Sequence, residues 1–190
     1  LKPVVCIYST FLQRGYDQIF QEVSLQNIPV VFCIDRSGLV GNDGPTHHGM
    51  MDIGFMRMMP NMIVISPADE TELNAALKFA LSSETSVAKR YPKDGVKVHE
   101  LEPVECREPF EEGRSVTIRQ GQSDIVVVAL GSILFEALKA AEVLAEHEID
   151  ITVIDARFAK PIDKKIISLL DQQKTIITIE DHSLACGFGS

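Results

Sequence analysis

Short, continuously apolar runs alternate with helix-spaced apolar positions along almost the whole of this 190-residue chain, and that alternation constrains its fold most. Lys2–Ile7, Ile28–Ile34, Met62–Ile65 and Ser86–Lys89 read as strands in the first half. Val116–Ile118, Ile125–Leu130, Ile151–Ile154 and Thr175–Ile179 read as strands in the second. Runs apolar at every position suit parallel strands covered on both faces. Between them, Tyr16, Ile19, Phe20 and Val23 recur at one-face helical spacing, as do Leu73, Ala76, Leu77, Ala80 and Leu81. Leu134, Leu138, Ala141 and Ala145 form the inward face of a third helix, and Ile166, Ile167 and Leu170 that of a fourth. Ile53–Met59 reads as a short helix. Ser9 or Thr10 caps the first helix, and Asp163 caps the last. In Ser66-Pro67-Ala68-Asp69-Glu70 the serine reads as N-cap, with proline at the first helical position and acids in the first turn. The pattern predicts an α/β protein of doubly wound, mostly parallel sheets.

Residues 92–112 break the rhythm with prolines, many charges and little periodicity, and read as a linker between units at 1–91 and 113–190. The net charge of −9 argues against generic binding of nucleic acid or anionic membranes. No apolar run approaches the roughly 18 residues of a spanning helix, and no signal or transit segment is visible. The four cysteines have no metal-ligand spacing. Cys6 and Cys33, inside strand-like runs, read as buried free thiols of a reducing, cytoplasmic compartment. The chain starts without methionine and ends on Gly187-Phe188-Gly189-Ser190, like a turn before a helix, so it reads as an internal stretch of something longer.

Chemistry concentrates in one connection. After the second strand, Asp35 to Gly49 holds four glycines, a proline, two aspartates, Arg36, His47 and His48. Each glycine loses more backbone freedom on folding than other residues do, so such a loop is costly to order unless it is used. Loops at the carboxyl ends of strands are where α/β folds place their sites. Asp43 and His47 lie four apart across Gly44-Pro45 and can line one pocket. His47 titrates near neutrality unless perturbed, which suits proton transfer. Arg36 can grip a carboxylate or phosphate through its fork. The alternative is a structural turn with solvated charges.

Elsewhere, Arg90 ends a strand on the same side of the sheet, as ligand binder or salt-bridge residue. Tyr8, Phe11 and Arg14 surround the start of the first helix, where Phe11 is either a core residue or a stacking platform. The six methionines read as adaptable packing. His99 and His147 read as solvated, and His182 at a strand end is a weak candidate. No dinucleotide fingerprint, phosphate-binding loop or nucleophile elbow is present, and no metal ligands are assigned.

Ile7-Tyr8-Ser9-Thr10-Phe11-Leu12-Gln13-Arg14, Asp35-Arg36-Ser37-Gly38, Gly41 through Gly49, Ser66 through Glu70 and Arg90-Tyr91-Pro92 together resemble the 1-deoxy-D-xylulose-5-phosphate synthases. These are thiamine-diphosphate enzymes of the transketolase-like group. The resemblance runs over essentially the whole chain. It implies a pyrimidine-binding domain over 1–91, a linker, and the first part of a transketolase C-terminal domain over 113–190. It implies condensation of pyruvate with D-glyceraldehyde 3-phosphate, releasing carbon dioxide, for isoprenoid, thiamine and pyridoxal precursors. It further implies thiamine diphosphate and Mg2+ as cofactors and a homodimer. By position, Phe11 stacks on the aminopyrimidine and Arg14 lies near that ring. Tyr8, Asp43 and His47 contact the acceptor and reacting centre, with proton transfer or oxyanion stabilisation at His47. Arg36 and Arg90 grip the acceptor phosphate. The cofactor-activating glutamate and the diphosphate–Mg2+ motif are expected upstream of Leu1, so the 190 residues alone are expected to be inactive. Transketolase, a 2-oxo acid dehydrogenase beta subunit, and a non-catalytic binding or dimerisation module are the alternative readings.

Overall fold

A computed structural model describes residues 1–93, 107, 109–172 and 174–190. Most of the expected linker at 92–112, with His99 and Cys106, lies outside the described residues. The first sheet has five strands in the order β1-β2-β4-β3-β8. Four of them, β1 (Val4–Tyr8), β2 (Val31–Asp35), β3 (Met62–Ile65) and β4 (Ser86–Arg90), run parallel. In-register pairs Tyr8↔Asp35 and Ile34↔Arg90 therefore bring Tyr8, Asp35 and Arg90 to one carboxyl edge. The fifth strand, β8 (Phe158–Lys160), comes from the second half of the chain and pairs antiparallel with β3. The second sheet, ordered β5-β7-β6-β9, comprises β5 (Val116–Arg119), β6 (Ile125–Leu130), β7 (Thr152–Asp155) and β9 (Thr175–Glu180). Here β6 pairs parallel with β7 and β9, and β5 runs antiparallel to β7.

The helices follow the apolar spacing, with informative departures. The segment after β1 is irregular: α1 (Ser9–Leu12), a tight turn at Gln13–Gly15, α2 (Tyr16–Gln18) and a wide π turn over Ile19–Ser24. Between the sheets' strands lie α3 (Asp52–Met58), α4 (Glu70–Ser82), α5 (Leu134–Ala145) and α6 (Lys164–Asp171). Helix α6 starts at Asp163 as expected, its carboxylate accepting from Lys165 N at 2.8 Å. Helix α4 does not start at Ser66. Its N-cap is Asp69, whose Oδ1 accepts from Glu72 N at 2.8 Å. Ser66 instead donates its backbone N–H to Arg157 O, so tertiary pairing takes the residue that local propensity offered to the helix. In α5 the buried positions are Leu134, Phe135, Ala137 and Ala141, and Ala145 is exposed.

Apolar side chains fill both faces of the first sheet. Phe32, Ile34, Val64 and Ala88 pack with Met56, Met59 and Met62 on one face, and Val31, Ile63, Ile65 and Val87 pack with α4 on the other. Among the methionines, Met56, Met59 and Met62 are buried as packing. Strand β1 is an edge with largely exposed residues, so Cys6 is exposed and not buried as its apolar neighbours suggested; Cys33, on the covered strand β2, is buried. No helix among the described residues is long and apolar enough to cross a membrane.

Candidate functional site

The glycine loop is built as a closed unit before it presents any side chain. Gly38 N donates to Gly49 O at 2.9 Å and Gly49 N to Gly38 O at 2.8 Å, so the two ends are tied together. A Cβ on Gly49 would sit 2.4 Å from Arg36 O and 2.5 Å from Ser9 Oγ, so only glycine lets the loop close against the start of α1. Between the ties, Gly41–Asp43 and Pro45–His47 form tight helical turns joined at Gly44, whose φ of +79° favours glycine. Asp43 and His47 thus stand on ordered turns. The Nδ1 of His48 accepts from Val40 N at 3.2 Å, which makes this side chain an internal tie of the loop.

Five of the expected residues meet on the rim. Tyr8 and Phe11 stack at 5.3 Å with an 11° tilt, and the His47 ring meets Phe11 edge-on at 5.4 Å. The Arg36 guanidinium lies 3.7 Å over the Tyr8 ring, bonds Asp35 at 2.5 Å and reaches Asp43 at 3.5 Å. Lys93, not foreseen, holds the other Asp43 oxygen at 2.6 Å. The hydrogen bond from Lys93, reinforced by the charges of Lys93, Arg36 and His47, keeps the Asp43 carboxyl below the usual range. Thr46 Oγ1 contacts His47 Nδ1 at 3.0 Å, and Thr10 Oγ1 donates to Thr46 O at 3.1 Å, which fixes the turn to α1. Phe11 remains 47% exposed. It is not a core residue.

Two expected residues lie elsewhere. Arg14 is exposed and makes no described contact with the rim group. Arg90 is only 3% exposed and is clasped by Asp52 through Nε at 2.8 Å and Nη2 at 3.4 Å, while Nη2 also donates to Asp181 O at 3.0 Å. This buried clasp supports the loop from behind. Ser37 Oγ donates to Asp52 at 3.2 Å, and the Asp181 carboxylate accepts from Leu39 N at 3.1 Å. A Cβ on Gly38 would fall 1.9 Å from Asp181 Oδ2. His182, buried beside them, accepts from Gly54 N at 3.4 Å through Nε2, which lies 3.9 Å from Asp52. Sequence reasoning passed over Asp52 and Asp181. The available signal was positional: Asp181 and His182 follow β9, the same carboxyl-end logic that singled out the loop.

The arrangement offers an exposed aromatic platform, an imidazole at its edge, an ionised carboxylate and a guanidinium, all within one rim. That set can stack a planar ring, hold an anion and move a proton. Among the described residues, no group of three or more His, Cys, Asp or Glu is placed to hold a metal ion.

Residues 1–97 match the transketolase pyrimidine-binding domain family, and residues 113–190 match the transketolase C-terminal domain family. The chain is 46% identical to 1-deoxy-D-xylulose-5-phosphate synthase 2 of Geobacter sulfurreducens over 192 residues, covering 100% of this chain and 30% of that protein. It is 49% identical to the 1-deoxy-D-xylulose-5-phosphate synthase of Heliobacterium modesticaldum, covering 100% of this chain and 29% of that protein. The chain therefore spans about 30% of the length of these curated relatives. A split-gene transketolase described as an inactive beta4 tetramer superposes with a TM-score of 0.86 at 29% identity, over 98% of this chain and 60% of that one. A Pichia stipitis transketolase in complex with sedoheptulose 7-phosphate shares the fold, with a TM-score of 0.80 at 24% identity over 96% of this chain and 27% of that one.

Proposed function

The chain belongs to the transketolase family, and on that premise we propose that it is the acceptor-side part of a 1-deoxy-D-xylulose-5-phosphate synthase. The complete protein would join pyruvate to D-glyceraldehyde 3-phosphate and release carbon dioxide. The observation that carries this reading is the Tyr8–Phe11–His47 ring group held beside Arg36 and Asp43 on a locked loop. Units at 1–91 and 113–190, joined through 92–112, form the domain layout we assign.

Thiamine diphosphate, when bound, supplies the electron sink for decarboxylation. The platform fits it: Phe11 has one face on Tyr8 and nearly half its surface open, as a ring that stacks on an aminopyrimidine requires. We assign Arg14 to the neighbourhood of that ring. His47 has Nδ1 engaged by Thr46, so Nε2 is assigned to proton transfer at the acceptor oxygen. Asp43, anionic over the working range, and the Tyr8 hydroxyl orient the acceptor. Arg36 takes the phosphate, with Arg90 anchoring the wall beneath it through Asp52. Mg2+ and the diphosphate are assigned to a part of the complete protein outside these residues, as is the cofactor-activating glutamate. Accordingly the 190 residues alone are proposed to be inactive, as the superposing beta4 tetramer of a split transketolase is described to be.

The fold likeness to that transketolase supports transketolase as a second reading. Incubating the complete protein with pyruvate and glyceraldehyde 3-phosphate, or with ketose donors, separates the two. Deoxyxylulose phosphate from the first pair is expected. Turnover of ketose donors alone contradicts the proposal.

A further inference from the structure

The first turn of the glycine loop is pinned by a residue from the second unit. That turn is an unusual one: Arg36 and Gly38 have φ of +56° and +80°. A non-glycine residue keeps such a conformation only where its surroundings hold it. Ser37, between them, is held from the first unit. Its N–H donates to Tyr91 O at 3.1 Å, and its Oγ donates to Asp52 at 3.2 Å. The next peptide is held from elsewhere. Asp181, the first residue past β9, accepts from Leu39 N with both carboxylate oxygens, at 3.1 and 3.3 Å. The same carboxylate lies so close over Gly38 that a Cβ there would meet Oδ2 at 1.9 Å. Asp181 is fixed in turn from behind. Arg90 Nη2 donates to its carbonyl at 3.0 Å, Gly54 N to His182 Nε2 at 3.4 Å, and Ser183 N to Met50 O at 3.2 Å. One residue of the second unit therefore spans from the buried Arg90 clasp to the Gly38–Leu39 peptide. The Arg36 side chain beside it is only partly fixed by its own bonds: Nη1 bonds Asp35, whereas Nε stands 3.5 Å from Asp43 without a hydrogen bond. Where the guanidinium points thus depends on the backbone that carries it.

Resting on the synthase reading above, we propose that Asp181 is a positioning residue for the acceptor phosphate. By holding the Gly38–Leu39 peptide it aims the Arg36 guanidinium, so the second unit sets how strongly a phosphorylated aldehyde is preferred over an unphosphorylated one. The hold acts through hydrogen-bond geometry: the carboxylate accepts from a neutral backbone amide. A neutral oxygen in the same place therefore serves as well. Asp43 and His47, farther along the loop, have holds of their own in Lys93 and in the bond from Thr10 Oγ1 to Thr46 O. Loss of the Asp181 hold consequently misaims the phosphate end of the site and leaves the aldehyde end with its partners.

The test compares the complete protein with its Asp181→Ala and Asp181→Asn variants. Each is given pyruvate with either D-glyceraldehyde 3-phosphate or D-glyceraldehyde, and the urea midpoint and the amide exchange of Leu39 are measured on the same preparations. In Asp181→Ala the KM for glyceraldehyde 3-phosphate should rise about tenfold, the worth of one hydrogen bond to a charged group. The KM for pyruvate and the kcat/KM for glyceraldehyde should stay near the parent's, and Leu39 should exchange faster. Asp181→Asn, which keeps an acceptor oxygen, should restore most of the preference. The inference is overturned if Asp181→Ala keeps the parent's preference for the phosphorylated acceptor, if both acceptors lose equally, or if the loss follows a lowered urea midpoint. An asparagine variant as impaired as the alanine one overturns the hydrogen bond as the means. Absence of deoxyxylulose phosphate from the parent itself is the failure of the functional reading, and Leu39 exchange then still decides whether Asp181 holds the loop: an unchanged rate in Asp181→Ala overturns the hold.

Discussion

Two clusters of arginines and carboxylates, one on the loop after β2 and one where α4 meets the β7–β8 segment, have surroundings that make them different objects. On the rim, Arg36, Asp35, Asp43 and Lys93 are about a quarter to a third exposed at their side chains. Behind α4, Glu72 and Arg157 are fully buried and 2.7 Å apart, while Arg107 bonds Asp69 at 2.5 Å and Glu72 at 3.2 Å. Asp155 completes the group, its Oδ1 accepting from Arg157 N at 3.0 Å. On the rim, neighbouring positive charges with ready access to water hold the Asp43 carboxyl low. In the interior, burial first and the facing Glu72 carboxylate second push the Asp155 carboxyl well up. Three carboxylates there face two guanidiniums, and Asp155 Oδ2 finds no donor among the described residues. Burial and the facing Glu72 carboxylate both favour the protonated form of Asp155. The same residue types therefore make an open, solvated cluster where water reaches them and a fastening where it does not. The fastening links α4 to the β7–β8 segment, holding the chain beyond residue 113 against the first sheet.

The largest effect should come from breaking the interior group. Arg157→Met removes the nearer of the two guanidiniums that face Glu72 in a dry site and should lower unfolding free energy by about 3 kcal/mol, measured by urea denaturation. A loss below about 1 kcal/mol would mean water reaches the group after all. The next test uses proton linkage. Asp155 has a raised folded-state pKa, so its contribution is fully present below the unfolded carboxyl range and is lost as pH rises through the folded value. Asp155→Asn should accordingly gain stability relative to the parent as pH increases from acid to neutral. A constant difference across that range would mean that folding does not raise the Asp155 carboxyl. Asp43 has the opposite sign: its contribution is present above the unfolded range and is lost as pH falls through the lowered folded value. Because Asp43 is open to water, Asp43→Asn should leave the thermal unfolding midpoint nearly unchanged at neutral pH.

Particular residues show how much of this was legible. Met62–Ile65 and Ile125–Leu130 emerge with their expected bounds because their apolar character is continuous and both faces are covered. The loop announces itself through composition, and four of its glycines or their neighbours prove to be needed for closure or for positive φ. The strand β8 was invisible: three residues carry no period, and its partner lies almost a hundred residues earlier. Glu72 looked like an ordinary first-turn acid, since it is the arrival of Arg157 from the distant β7–β8 connection that gives it a buried ion pair. Cys6 looked buried because strand character is local, whereas edge position is decided by the whole sheet. At the site, the residues on the loop and on α1 could be read from chain position. The clasp of Arg90 by Asp52 and Asp181 could not, because it joins three elements far apart in sequence.

In the proposed division of labour the rim carries the chemistry while the interior holds shape, and His47→Ala in the complete protein tests it most directly. Deoxyxylulose phosphate formation and the urea midpoint should be measured on the same preparation. The account predicts a fall in turnover of about 10²-fold or more with an unchanged midpoint. Full turnover, or a loss matched by an equally lowered midpoint, would contradict it.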